Sequence, residues 1–272
     1  MSVHGSEHNY SYQDFMTIKE NLALVHLVGR GIEFGALNNP LPVDGSRAKT
    51  LFADRLSKSQ ALNLFPELRD IADSIIEPDI IVDFNDSNAL NSLASEAFDF
   101  LIANHFIEHL VNPIQFLEGC SQILQPGGIL FLTIPDKDQT FDRNRELTSN
   151  AHLWRDYRRG ESKISRAHLR DFLRNKEIVH KPHPEVVKYF TRHGLPLSYY
   201  NGNHLPLNPV KRSRLYNFHR ERSIHVHVWN RPSFDDFLIW VNEKLDLGFS
   251  VMPSHTPEDV VGEMIYVLKK IS

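Results

Sequence analysis

FDFLIANHFIEHLVNPIQFLEGCSQILQPGGILFLTIP, residues 98–135, is the stretch that decides the fold. It opens on an apolar run, Phe98–Ala103, that breaks at Asn104 and His105. Asn112-Pro113 then starts a helix, because asparagine caps the first free N–H groups and proline suits the first helical position. Pro126-Gly127-Gly128 stops that helix before a second apolar run, Ile129–Pro135. Strand, helix and strand in this order predict a right-handed crossover between parallel strands. Apolar runs without polar alternation predict a sheet covered on both faces.

The pattern extends in both directions. GIEF (31–34), KTLFAD (49–54) and DIIVDF (79–84) read as three earlier strands. SKSQALNLF (57–65) and SNALNSLAS (87–95) read as helices between them. Ahead of these, SYQDFMTIKENLALVHLV (11–28) carries Phe15, Ile18, Leu22, Val25 and Leu27 or Val28 at helical spacing, with Ser11 as a cap. Residues 1–10 read as a loose tail. After Pro135 the pattern fails until SIHVHVW (223–229), read as a strand. A helix over RPSFDDFLIWVNEKLDLG (231–248) and strands at FSVMPS (249–254) and EMIYVLKKI (263–271) follow. The whole chain thus reads as one α/β domain with an insertion at 136–222.

Composition narrows the class. Apolar content of 41% and charged content of 24% over 272 residues fit a globular domain with a large core. A formal charge of −4 gives no global attraction to nucleic acid or membrane. Cys120 stands alone, which excludes an internal disulfide and a multi-cysteine metal site. No apolar run approaches the length of a membrane span, and the first residues lack a signal core. The expectation is a cytoplasmic protein.

Two readings compete for His105-Phe-Ile-Glu108-His109. HxxEH is a zinc-hydrolase signature when it lies inside a long helix. Here it straddles a strand end, with a new helix beginning at Asn112, which leaves too little helix for a zinc site. The alternative is the rim of a cleft at the carboxyl edge of the sheet, where doubly wound folds bind ligands.

The order of elements resembles a class I S-adenosylmethionine-dependent methyltransferase. GIEFGA (31–36), Asp54, Asp83, FDFLIANHFIEHL and ILQPGGILFLTIPDKD follow that family's succession of motifs. More narrowly, IEFGALNNPLPV, DRLS, ANHFIEHLVNP, IPDKDQTFDRNRELT and HVHVWNRPSF resemble a bacterial methyltransferase-domain subfamily of the methyltransferase type 11 kind. The resemblance implies a Rossmann-like doubly wound sheet of seven strands, the last antiparallel, with a basic lid insertion. It implies S-adenosylmethionine as cofactor, held by Glu33, Gly35 and Ala36, by Asp54 and Arg55, by Asp83 and Phe84, and by Asn104 and His105. The family's loop carries more glycines than Gly35-Ala-Leu-Asn-Asn-Pro40, so a non-catalytic binding or scaffold protein is the alternative.

Methyl transfer to oxygen benefits from a general base. His105, His109 and His227 are the candidates. On a strand, His225 and His227 would share one face, near Asp136 and Asp138. HKPH (180–183) has metal-like spacing in an exposed proline-broken loop, and no metal ligand set is assigned. Between Arg155 and Arg222 the chain carries 16 Lys and Arg against 6 Asp and Glu. That local excess predicts an anionic acceptor, such as a sugar phosphate, a glycan or another small molecule. The same charge would serve a homodimer contact with an acidic core. Nucleic acid is disfavoured, since no RNA-binding module accompanies the basic residues.

Overall fold

The computed structural model describes residues 12–86, 88–93, 97–175, 181–200, 205–252, 255 and 262–271. The expected tail and His180 lie outside the described residues. Seven strands form one sheet: β1 (Gly29–Phe34), β2 (Ala48–Asp54), β3 (Ile80–Ile81), β4 (Phe98–Asn104), β5 (Leu124–Pro135), β6 (Phe249–Ser250) and β7 (Glu263–Lys270). Their order is β3-β2-β1-β4-β5-β7-β6. β1 pairs in parallel with β2 and β4, and β7 runs antiparallel between β5 and β6. Strand order therefore reverses between β1 and β4, which opens a crevice at their carboxyl ends.

Three packed clusters hold this arrangement. α1 (Tyr12–His26) lays Ala23, with Leu27 just beyond its end, against Phe100, Ile102, Phe131 and Ile265 on one face of the sheet. Of the expected stripe, Ile18, Leu22 and Leu27 pack on this cluster, whereas Val25 is 64% exposed and Lys19 and Ala23 lie inward instead. The other face buries Leu101, Ala103, Leu130 and Leu132 against α3 (Pro113–Ile123) and α8 (Arg231–Leu245). Asn112 caps α3 by accepting from the Gln115 N–H, and Ser57 forms a capping box on α2 (Lys58–Leu64).

The insertion is helical, contrary to the irregular segment expected. It holds α4 (Asn150–Arg159), α5 (Arg166–Asn175), α6 (Pro184–Arg192) and α7 (Pro209–Arg222). Leu169, Phe172 and Leu173 of α5 meet Val186 and Phe190 of α6 and Leu215 and Phe218 of α7 in a separate small core. The apolar residues recur at helical spacing among many arginines, which masks them in a composition-based reading. Residues 223–229 form no regular strand; one bridge, Asp136 to Trp229, is their only pairing with the sheet side among the described residues. No described helix is long and apolar enough to cross a membrane.

Candidate active site

A cleft of about 450 Å³ opens at the carboxyl ends of β1, β2 and β4. The core domain contributes Gly35, Asp54, Asp83, Phe84, His105 and Phe106. The insertion contributes Lys163, Ile164, Arg220 and Arg222 as the facing wall. Such a volume suits a small molecule.

Gly35 follows β1 with a φ of +68°, in the left-handed region. A Cβ there would sit 2.8 Å from Cδ2 of Phe106, so glycine lets the turn close over that ring. Phe106 stacks on Phe34 at 5.7 Å and meets Phe84 edge-on at 5.3 Å, giving the cleft an aromatic floor. Asp54, at the end of β2, accepts the Arg55 N–H at 2.6 Å and the Leu56 N–H at 3.3 Å, both on Oδ1. No described residue bonds its Oδ2. Burial raises the Asp54 carboxyl above its ordinary value, with the two N–H groups pulling the other way. Asp83 Oδ1 accepts from the Asn85 N–H at 3.0 Å. Arg55 lines the cleft too, but its guanidinium donates to the Glu221 carbonyl at 2.7 Å and so ties β2 to the end of α7.

Several expected cofactor residues are not at the cleft surface. Glu33 is fully buried, and both its oxygens accept the Leu41 N–H, at 3.0 and 3.1 Å. It fastens the loop after Gly35 instead of facing a ligand. Asn104 accepts from the Thr133 hydroxyl at 2.5 Å and, like Ala36, is not among the residues lining the cavity. Burial lifts the Glu33 carboxyl to about 7, against the opposing pull of the Leu41 N–H and Lys19. The folded protein thus holds this proton more tightly than the unfolded chain does. That stability is present in full below the ordinary glutamate value and is lost as pH rises through 7. Glu33→Gln keeps an acceptor for Leu41 and removes the titration. Its stability relative to wild type should rise by about 2–3 kcal/mol between roughly pH 5 and pH 9, read by denaturant unfolding.

The histidines separate. His105 turns at a φ of +48° just past β4, a conformation uncommon outside glycine and asparagine. Its Nε2 lies 2.5 Å from Glu263 Oε2, and Lys19 bonds the same carboxylate oxygen at 3.1 Å. Its Nδ1 is 3.6 Å from Glu108. Burial opposes the imidazolium, but the Glu263 bond and the charges of Glu108 and Glu263 outweigh it, so the net shift is upward. His109 also lines the cleft; its Nδ1 is 3.0 Å from the Ile224 carbonyl, and burial pushes it down to about 4. Glu108 is buried between the two rings with neither oxygen hydrogen-bonded, its Oε1 3.8 Å from His109 Nε2. The zinc-hydrolase reading fails here, since residues 107–109 make a single 3₁₀ turn.

His227 is not at the cleft. It is 1% exposed, and its Nε2 lies 3.1 Å from the Val111 carbonyl. His225 goes elsewhere, with Nδ1 2.5 Å from Asp142. Strand alternation misled here because the Val226 and His227 N–H groups both bond the Glu108 carbonyl, at 2.7 and 3.2 Å. Glu263 and Lys19 went unnoticed in the sequence, since each lies far along the chain from His105.

Comparison with known proteins places the chain in a family. A methyltransferase-domain family model matches residues 41–176, half of the chain. Over 123 residues the chain is 27% identical to the ubiquinone biosynthesis O-methyltransferase of Xanthomonas campestris, covering 44% of this chain and 48% of that protein. A 45-residue stretch is 42% identical to the human mitochondrial ubiquinone biosynthesis O-methyltransferase, covering 16% of this chain and 12% of that one. The matches thus span less than half the length of these relatives. Among solved structures, an S-adenosylmethionine-dependent methyltransferase from Clostridium acetobutylicum superposes over 96% of this chain and 92% of its own, with 8% identity and a TM-score of 0.45. On the family match over half of its length, the chain belongs to the methyltransferase-domain family, and its strand order is that of a doubly wound sheet.

Proposed function

We propose that this protein methylates an oxygen of an anionic small molecule, sugar or glycan, with His105 as general base. The observation that carries this reading is the cleft, which is lined by His105, itself paired with Glu263 behind it, and by Lys163 and Arg220, with Arg222 held by Glu67.

S-adenosylmethionine, when bound, supplies a methyl group already activated by its sulfonium. The chain's task is to hold, orient and deprotonate. Asp54 Oδ2 is suited to accept from ribose hydroxyls, and Phe84 with Phe106 gives an apolar surface for the adenine. Gly35 allows the close backbone approach that the amino-acid end requires. His105 donates its Nε2–H to Glu263, which leaves the Nδ1 lone pair to take the proton of an acceptor hydroxyl. The Glu263 carboxylate then stabilises the imidazolium, as a carboxylate does in other acid–base pairs.

The anionic acceptor is argued from a second cavity of about 380 Å³ between α5 and α7. Arg166, Arg170, Arg212 and Arg220 line it, with Tyr216 and Asn217. Among the described residues none of these four arginines pairs with a carboxylate. Arg220 belongs to both cavities, so an acceptor could extend from the arginines to the cleft. Planar guanidinium groups bind phosphate and carboxylate in bidentate fashion.

The test is methyl transfer from radiolabelled S-adenosylmethionine to a panel of sugar phosphates, nucleotide sugars, uronic acids and neutral phenols. The expected result is turnover confined to anionic acceptors. Arg166→Ala with Arg170→Ala should raise KM by about tenfold or more while kcat is kept. Turnover of neutral phenols alone, unaffected by the double substitution, would remove the anionic acceptor from the account.

A further inference from the structure

Away from the cleft, α4, α5 and the returning segment bring four side chains to one point. His152 and Asp156 stand one turn apart on α4, His168 lies on α5, and His227 precedes Trp229. His152 Nε2 is 3.0 Å from Asp156 Oδ2, His168 Nε2 is 3.4 Å from that same oxygen, and the two nitrogens are 3.1 Å apart. Three ligand atoms therefore form a nearly equilateral triangle. An ion bound tetrahedrally at about 2.0 Å holds its ligands about 3.3 Å apart.

His227 stands next to this triangle, with its nitrogens outside the group formed by the other three ligand atoms, so its ring must move in to take the fourth position. Its ring centroid lies 5.6 Å from those of both His152 and His168, and those two are 5.3 Å apart. Three imidazoles sharing one ion at about 2.0 Å hold their centroids about 5 Å apart. His227 Nδ1 is buried and has no hydrogen-bond partner, whereas Asp156 Oδ2 is buried against the two imidazole nitrogens of His152 and His168. Leaving a buried polar atom unpaired is destabilising. His227 meets the Val111 carbonyl through its other nitrogen, as a metal-bound histidine commonly does.

We infer that His152, Asp156, His168 and His227 bind one structural zinc ion that clamps α4, α5 and residues 224–229 together. Three nitrogens and one carboxylate suit zinc among the first-row divalent metals. Two contacts must yield. The Arg155 guanidinium sits 2.8 Å from His152 Nδ1, and the Ser165 N–H sits 3.4 Å from His168 Nδ1. Arg155 has a half-exposed side chain and can turn away, and the Ser165 contact is already long. The other cluster of this kind, Glu108, His109 and His225, is looser, and its His225 is engaged by Asp142.

The clamp has a consequence for the cleft. Ser162, Lys163 and Ile164 lie immediately before α5 and form part of its wall. Fixing α5 to α4 fixes that wall.

The experiment is metal analysis of the full chain after dialysis against metal-free buffer, followed by cobalt substitution. One zinc per chain is expected, and cobalt should give the visible absorption of a four-coordinate site. Asp156→Asn, and separately His168→Gln, should cut the stoichiometry at least fivefold and lower Tm, while His225→Gln keeps one equivalent. Less than a tenth of an equivalent in wild type, with no cobalt bands, would overturn the inference. Loss of metal in His225→Gln but not in Asp156→Asn would overturn it as well.

Discussion

His105→Gln should lower kcat by about 10²- to 10⁴-fold while S-adenosylmethionine affinity stays within about fivefold of wild type. Glutamine fills similar space but takes no proton at neutral pH. Position and charge both favour His105 over His109 for the task. His105 is the ring whose environment raises its proton affinity, whereas His109 is pushed down to about 4 and makes a weak base. The pH profile gives a second handle. A base must be deprotonated, so turnover should fall as pH drops through the His105 value, which lies above the ordinary histidine value. Glu263→Gln keeps an oxygen to accept from Lys19 and removes the charge facing His105. Burial then dominates, and the acid limb should move to lower pH. A variant with reduced kcat and an unmoved limb would show that the pair only positions the chain.

Asp54→Ala carries the next largest expected effect, a weakening of S-adenosylmethionine binding by about 10- to 100-fold. The carboxylate has spent Oδ1 on the turn to Arg55 and Leu56, and Oδ2 has no protein partner among the described residues. Hydrogen bonds to an ionised group contribute about 1.5–3 kcal/mol each, and every 1.4 kcal/mol is tenfold. Asp54→Asn keeps the turn through its amide oxygen but presents an NH2 donor where Oδ2 stood, so it isolates the ligand contact and should also weaken binding. Near-normal binding in Asp54→Asn beside a loss in Asp54→Ala would indicate that Asp54 acts through the loop and not on the ligand.

The central βαβ unit was legible because its signals are local. Asn112 and Pro113 start α3 as read, but it ends at Ile123 and the expected Pro126–Gly128 stop lies inside β5; the apolar runs around the helix become β4 and β5. The third strand was overread: of residues 79–84 only Ile80 and Ile81 pair with β2. The site was legible where it sits at strand ends, as with Gly35, Asp54, Asp83 and His105. It was illegible where partners are remote. Glu263 reaches His105 across 158 residues, and Lys19 reaches Glu263 across 244. Glu33 shows a different limit. Its place beside the glycine turn suggested a ligand contact, but only the fold reveals that Leu41 claims both its oxygens. The basic insertion hid its helices because Leu169, Phe172, Val186, Phe190, Leu215 and Phe218 are thinly spread among charged residues.

The most direct measurement is calorimetric titration of the wild-type chain with S-adenosylmethionine and with S-adenosylhomocysteine. The account expects one site per chain, micromolar or tighter for both, and weakened at least tenfold in Asp54→Ala. No binding of either compound to the folded wild-type protein would contradict it, and the cleft at β1, β2 and β4 would then need another ligand.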